Sequence, residues 1–483
     1  MRRIFSNPVT ALAAGLFLRL FFVLKFPAGA GDSALYEQIA GNWLRQRVYG
    51  IHSAGAPIPV DVRMPGYPGF LAAIYALTHR TGTDARIFVM GAQVAIDLAT
   101  CFVIAALAAV LVMLALEGAR PRRAFKVALW LAMLCPFTAN YTAVILTETL
   151  ATFFTALALL FFFLRMLRLR ASVVYVQGIA LHLRASPGWF AVLAGLAVGM
   201  GTLVRPETPL LLFAAGMVTA WTLLRDRRWL ETIRTGALMG IGCAIPLLPW
   251  AARNAVTLHE VQFLAPKNAN LSGEMVPFGF MAWEKTWLLR MRDCYLVAWK
   301  LNDEEIQLDD VPNRAFDTTE EKQHVEDLLE SYNQDMSLSP EDDAGFGQLA
   351  RERTSRHPLR TYVWLPAARA VMIWVAPRIE LLPFSGKVFP LRDGWEEDPV
   401  DQSATVFSVL LSIFYILLAG WGAWLLWRVP GARAAVALLA VFILIRTAFL
   451  AAQETPEPRY VLECFPGVLA LGAQVFAGRK KIG

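Results

Sequence analysis

Apolar runs of about 20 residues recur along almost the whole of this 483-residue chain, and each is long enough to cross roughly 30 Å of hydrocarbon as a helix. About ten spans are predicted by that criterion, at 8–26, 85–116, 127–143, 146–164, 189–204, 206–224, 236–252, 404–427, 434–452 and 460–477. The composition agrees: 56% of residues are hydrophobic and only 17% charged, with a mean hydropathy of +0.46, too apolar for an ordinary water-soluble domain. The net charge of +6 does not imply nucleic acid, because the basic residues sit in short clusters between apolar runs. The cysteines, Cys101, Cys135, Cys243, Cys294 and Cys464, have no zinc or disulfide spacing, and four lie in apolar stretches where a reduced, packed thiol is expected. The two arginines and apolar run at the amino terminus resemble a signal peptide, but no small-residue cleavage site precedes a soluble domain. A retained first span is expected.

Cationic segments resist translocation, so short cytoplasmic loops collect Lys and Arg. Here every second loop is basic: Arg2 and Arg3, then Arg120, Arg122, Arg123 and Lys126, then Arg165, Arg168, Arg170 and Arg184. Arg225, Arg227, Arg228 and Arg234 follow, then Arg428 and Arg433, and finally Arg479, Lys480 and Lys481. This alternation predicts cytoplasmic termini in a bacterial inner membrane and puts two long segments, 27–83 and 253–403, on the opposite face. Three regions are expected: a transmembrane module at 1–252, an extracytoplasmic segment at 253–403, and terminal helices at 404–483. An acidic stretch at 302–343 holds an amphipathic helix pattern, with Val325, Leu328, Leu329 and Tyr332 on one face and start signals at Asp317, Thr318 and Thr319. A solvated helix of a small subdomain is the preferred reading there. The segment 358–377, rich in Trp and Tyr and interrupted by Arg360 and Arg369, is expected along the interface, since a further crossing would invert every later loop.

Candidate chemistry lies at the outer ends of the spans. Asp32 in Gly31-Asp32-Ser33 stands just beyond the first span, where helix capping is an alternative role. Arg63-Met64-Pro65-Gly66-Tyr67-Pro68 forms a stiff segment returning toward the interface. Within the spans, Asp97 and Arg446 are expected to pair between helices, and Trp421, Trp424 and Trp427 to face lipid or interface. Trp283 and Trp287 could stack on sugars or anchor at the interface.

The order of several short motifs is more specific. Gly31 to Ala40 (GD-x3-Y-x2-IA) and RMPGYPGFLA (from Arg63) resemble the first loop of bacterial GT-C glycosyltransferases. Glu148 in LTETL, Arg205-Pro206-Glu207, Pro249-Trp250-x2-Arg253-Asn254 and Pro458-Arg459-Tyr460 resemble later features of the same superfamily, and together they extend over nearly the whole chain. The pattern is similar to the protein O-mannosyltransferase-like branch, with its lipid A aminoarabinose and lipopolysaccharide-core galacturonosyl transferases. The resemblance implies an all-α, polytopic GT-C bundle of about ten or more transmembrane helices with a small extracytoplasmic subdomain. It also implies a polyprenyl-phosphate-sugar donor and an extracytoplasmic glycan, lipid or protein acceptor.

Single displacement at an anomeric carbon needs a base for the acceptor proton and cations for the departing phosphate. Asp32 is the expected base. Arg63, Arg205 and Arg459 are the expected phosphate ligands, with interfacial anchoring as the alternative for each. Tyr36, Tyr67, Glu148, Glu207, Arg253, Glu457 and Tyr460 are expected to bind substrate or shape the field, though Glu148 could instead pair with one of the arginines. A divalent metal is left open, because family members differ and Asp32 and Asp61 are too separated to form a compact DxD-type pair. A flippase for lipid-linked sugars, or a polymerase or ligase using a diphosphate-linked glycan, is the alternative reading. The absence of a clear two-fold hydropathy repeat argues against the flippase.

Overall fold

The computed structural model describes residues 7–477, apart from 54, 116–119, 170–172, 177–178, 183–185, 226, 267 and 269–273. Of the cationic pattern, Arg2, Arg3, Arg170, Arg184, Arg479, Lys480 and Lys481 lie outside the described residues. The described chain is overwhelmingly helical and divides into two compact units, residues 1–269, 378–443 and 462–483 in the first, 270–377 and 444–461 in the second.

The first unit begins with α1 (Pro8–Lys25), α2 (Gly31–Gln46), the hairpin β1 (Gly50–Ser53) and β2 (Ala56–Pro59), and α3 (Gly66–Thr78). It continues with α4 (Arg86–Ala115), α5 (Pro121–Met133), α6 (Pro136–Asn140), α7 (Glu148–Arg168), a second hairpin β3 (Val173–Val176) and β4 (Ile179–His182), α8 (Pro187–Val204), α9 (Pro209–Arg225) and α10 (Trp229–Thr257). The second unit holds α11 (Phe278–Lys285), α12 (Met291–Asp293), α13 (Thr319–Asn333), α14 (Pro340–Arg356) and α15 (Leu365–Val375). After it come α16 (Leu391–Glu397), α17 (Pro399–Trp427), α18 (Arg433–Ala451), α19 (Phe465–Gly472) and α20 (Gln474–Ala477).

Among the described residues, eight helical segments are long and apolar enough to cross a membrane: Pro8–Lys25, Gly82–Ala115, Glu148–Arg168, Pro187–Val204, Trp229–Thr257, Pro399–Trp427, Pro430–Ala451 and Pro458–Ala477. Lipid offers no partner for backbone N–H and C=O groups, so spanning segments of this kind are helices. The chain is a multi-pass, all-α membrane protein. Two of the ten expected spans are shorter helices. The run at 127–143 breaks at Cys135 and Pro136 between α5 and α6, because proline cannot continue the hydrogen-bond ladder. The run at 206–224 becomes the 17-residue α9. The segment 358–377 is not among the eight; its exposed Tyr362, Val363 and Trp364 precede α15.

Helix packing in the first unit relies on small residues. A methyl group added at Gly195, Gly199 or Gly242 would meet backbone atoms of the facing helix at 2.1–2.3 Å, so α8 and α10 can touch only because these positions lack side chains. Arg19 and Asp97 form a fully buried ion pair between α1 and α4 at 2.5 Å, and Arg19 also donates to the carbonyls of Gly15 and Met133 at 2.9 and 2.8 Å. This corrects the expected pairing of Asp97 with Arg446, which is buried and donates to the Tyr460 carbonyl at 3.0 Å. The partner was misjudged because sequence shows neither which helices touch nor which charge is nearer. Trp421, Trp424 and Trp427 are exposed along α17, as expected of a lipid-facing row.

The second unit has its own core, in which Val325, Leu329 and Tyr332 of α13 pack among Phe280, Trp283 and Phe346. Thr318 caps α13 by accepting from the Glu321 N–H at 3.2 Å. Trp283 and Trp287 are 0% and 1% exposed, so neither is a sugar-stacking surface nor an interface anchor. Their area is spent on the core instead.

Candidate functional site

The two first-loop motifs meet. Asp32 occupies the second position of α2, while the start of that helix is held by Ser33, whose Oγ accepts from the Ala30 N–H at 3.0 Å and donates to the Ile145 carbonyl at 2.8 Å. Capping is thus performed by a neighbour. The Asp32 carboxylate accepts instead from Arg63 Nη2 at 2.7 Å, and the two side chains remain 33% and 22% exposed. Arg63 is placed by Tyr49, which donates to its carbonyl at 2.8 Å. Gly66 explains the stiff segment that follows, because a Cβ there would lie 2.5 Å from the Leu203 carbonyl where α3 meets the end of α8.

Behind this pair stand two buried tyrosines with ring centroids 5.1 Å apart, Tyr36 and Tyr67. Tyr67 donates to Gln93 Oε1 at 2.9 Å, and Gln93 in turn donates to the Val144 and Thr142 carbonyls at 2.8 and 3.1 Å. Burial raises both phenols well above their ordinary range, and Asp32 adds to the effect at Tyr36 while Glu148 adds to it at Tyr67. Both therefore persist as neutral hydrogen-bond donors. The charges acting on Tyr36 are Asp32, Arg63, Arg205 and Glu148, which puts four of the expected motifs in one neighbourhood.

Arg205 follows the last turn of α8 in extended conformation and is surrounded by carboxylates: Glu207 at 2.8 Å, Glu148 at 3.1 Å and Glu463 at 3.3 Å. Glu148 is the first residue of α7, where the helix dipole favours a negative charge. Glu148 does pair with an arginine, as one reading held. Glu463 was missed, since it lay inside an apparent span at 460–477. An acidic residue at membrane depth was itself the available signal. Arg19, inside the first span, carried the same one.

Arg253 is turned toward the first loop. It donates to the Val60 and Tyr49 carbonyls at 2.8 and 2.7 Å and lies over the rings of Tyr49 and Trp250 at 5.3 and 5.2 Å. Its geometry holds the β1–β2 hairpin. Glu457, Arg459 and Tyr460 belong to the second unit and form a local set: Arg459 Nε lies 2.5 Å from Glu457, and the Tyr460 hydroxyl donates to the same carboxylate. Among the described residues, no group of three or more His, Cys, Asp or Glu is arranged to hold a metal ion.

In motif order the chain resembles the GT-C superfamily of membrane glycosyltransferases. It is similar to the oligosaccharyltransferase AglB of Archaeoglobus fulgidus solved with an inhibitory peptide and a dolichol-phosphate, with 12% identity over 96% of this chain and 50% of that one and a TM-score of 0.46. It is also similar to ArnT of Cupriavidus metallidurans bound to undecaprenyl phosphate, with 14% identity over 92% of this chain and 77% of that one and a TM-score of 0.38. The chain spans about half the length of the archaeal chains. No family model matches the chain, and no curated protein does.

Proposed function

We propose that this protein transfers a sugar from a polyprenyl-phosphate donor to an extracytoplasmic glycan, lipid or protein acceptor, with inversion at the anomeric carbon. The reading rests on the motif order and on one observation: Asp32 and Arg63, from separate motifs, form a partly exposed ion pair beside Tyr36 and the Arg205 cluster. In this reading Asp32 removes the acceptor hydroxyl proton as its oxygen attacks the anomeric carbon. The bond from that carbon to the phosphate oxygen breaks, and its electron pair leaves with the lipid phosphate. Arg63 receives the developing negative charge, since a guanidinium already within reach of the base can bridge to the leaving group without reorganising. Tyr36, Tyr67, Glu148 and Glu207 define the polar wall, and Arg205, held by three carboxylates, shapes the field there. Arg459, with Glu457 and Tyr460, remains the second candidate for the phosphate. The active face is taken as periplasmic and both termini as cytoplasmic, on the alternation of basic loops.

Purified protein in detergent, given a labelled polyprenyl-phosphate sugar and an envelope acceptor fraction, should form product. Asp32→Asn at normal abundance should abolish it, and full transfer by that variant would remove the assignment. Detergent also separates transfer from flipping, which has no meaning without two compartments.

A further inference from the structure

A cavity of about 370 Å³ opens between the β1–β2 hairpin and the last turns of α10, within the roughly 300–1,000 Å³ range of small-ligand sites. Its walls are mostly apolar, supplied by Trp43, Leu203, Pro246 and Trp250, and its polar edge carries Arg47 and Arg253. None of the described residues lining it is acidic. Trp250 is 5% exposed and its indole N–H has no acceptor among the described residues. A buried donor without a partner is costly, so a ligand at this place gains by bringing an acceptor oxygen.

The surroundings identify the ligand's other end. Ile241, Ile245 and Leu248 are exposed along α10, and Trp43, Leu44 and Ile58 are exposed on the adjoining first loop. In a membrane-spanning helix such residues face hydrocarbon, and Trp with Arg marks the headgroup zone. An apolar wall continuous with lipid, an orphan donor and two cations without a carboxylate match one chemistry: an acyl chain below an anionic phosphate ester.

We infer that this cavity binds one anionic phospholipid of the bilayer, its chain against Trp43 and Leu203 and its phosphate near Arg47 and the Trp250 N–H. Such a lipid would brace the hairpin whose neighbour Tyr49 positions Arg63. The inference stands whether or not the transfer reading holds.

Native mass spectrometry of the full chain, with phosphatidylglycerol and phosphatidylcholine supplied equally, tests it. The protein should retain one phosphatidylglycerol in preference to phosphatidylcholine. Arg47→Glu, a charge reversal at an exposed position, should reduce that retention about ten-fold. Trp250→Phe keeps the ring but removes the donor, and should reduce retention roughly five-fold. Equal retention of the two lipids, or retention unchanged in both variants, would overturn the site. One-for-one displacement of the phospholipid by a polyprenyl phosphate would overturn it too, by giving the cavity to the donor. Sugar transfer is assayed separately, so neither result is confused with failure of the proposed reaction.

Discussion

Two arginine–carboxylate pairs, one in each unit, use the same groups for different ends. In the second unit Arg353 is 0% exposed and every part of its guanidinium is occupied: Nη1 on Glu321, Nε on Thr286 at 2.9 Å and Nη2 on the Arg314 carbonyl at 3.0 Å. Beside it Arg360 grips both oxygens of Asp317 at 2.6 and 2.9 Å, which holds that carboxyl below its usual range. In the first unit the Asp32–Arg63 pair keeps a third and a fifth of its side chains open to solvent. A closed, saturated pair fixes a fold, whereas an open pair beside neutral phenols retains capacity for something else. Exposed pairs contribute only about 0–1 kcal/mol, so stability alone gives little reason to keep Asp32 and Arg63 together.

The contrast breaks most sharply at Asp32. Asp32→Asn should cost roughly 10²–10⁴ in transfer rate while leaving the melting temperature nearly unchanged, as read by labelled-donor turnover and thermal unfolding of the same preparation. Arg353→Ala should do the reverse: Glu321 keeps Arg356 on its other oxygen at 3.0 Å but loses the fully buried guanidinium that also ties Thr286 and the Arg314 carbonyl, which should cost about 3 kcal/mol, seen as early melting or proteolysis of the second unit. Arg63→Ala should slow transfer about 10²-fold, with a stability change within about 1 kcal/mol. A large loss of stability in Arg63→Ala would place that pair with the closed kind.

The smallest effect depends on pH. Glu284 is buried in the second unit, with Oε1 lacking a partner among the described residues, and burial, reinforced by Glu454, pushes its carboxyl up to about 8. Between the ordinary value of 4.5 and about 8 the folded state keeps a proton that the unfolded state has lost, so this group erodes stability as pH rises through that window. Glu284→Gln should therefore raise the melting temperature of the second unit more at pH 8.5 than at pH 5. An equal gain at both values would show that the carboxyl is not held protonated.

Much of this architecture was readable from residue order. The spacing of Val325, Leu328, Leu329 and Tyr332 with Thr318 ahead of them predicted α13 and its buried face, because helical period and cap are local properties. The site was legible in part: both first-loop motifs were visible, but their contact required α2 and α3 to fold back on one another. Ser33 rather than Asp32 does the capping, a choice between adjacent residues that side-chain geometry alone decides. Glu463 and Arg19 were hidden by their apolar surroundings, where hydropathy averages away a single charge.

The sequence by itself determined the helical, multi-pass character, since a run of apolar residues long enough to span lipid leaves the backbone no other way to satisfy its polar groups. It also carried the order of the motifs. Only the tertiary structure decided which charges became partners: Arg19 for Asp97, Glu463 for Arg205, Arg63 for Asp32. Ion pairs depend on distances between helices remote in sequence, and these are set by packing at positions such as Gly195, Gly199 and Gly242.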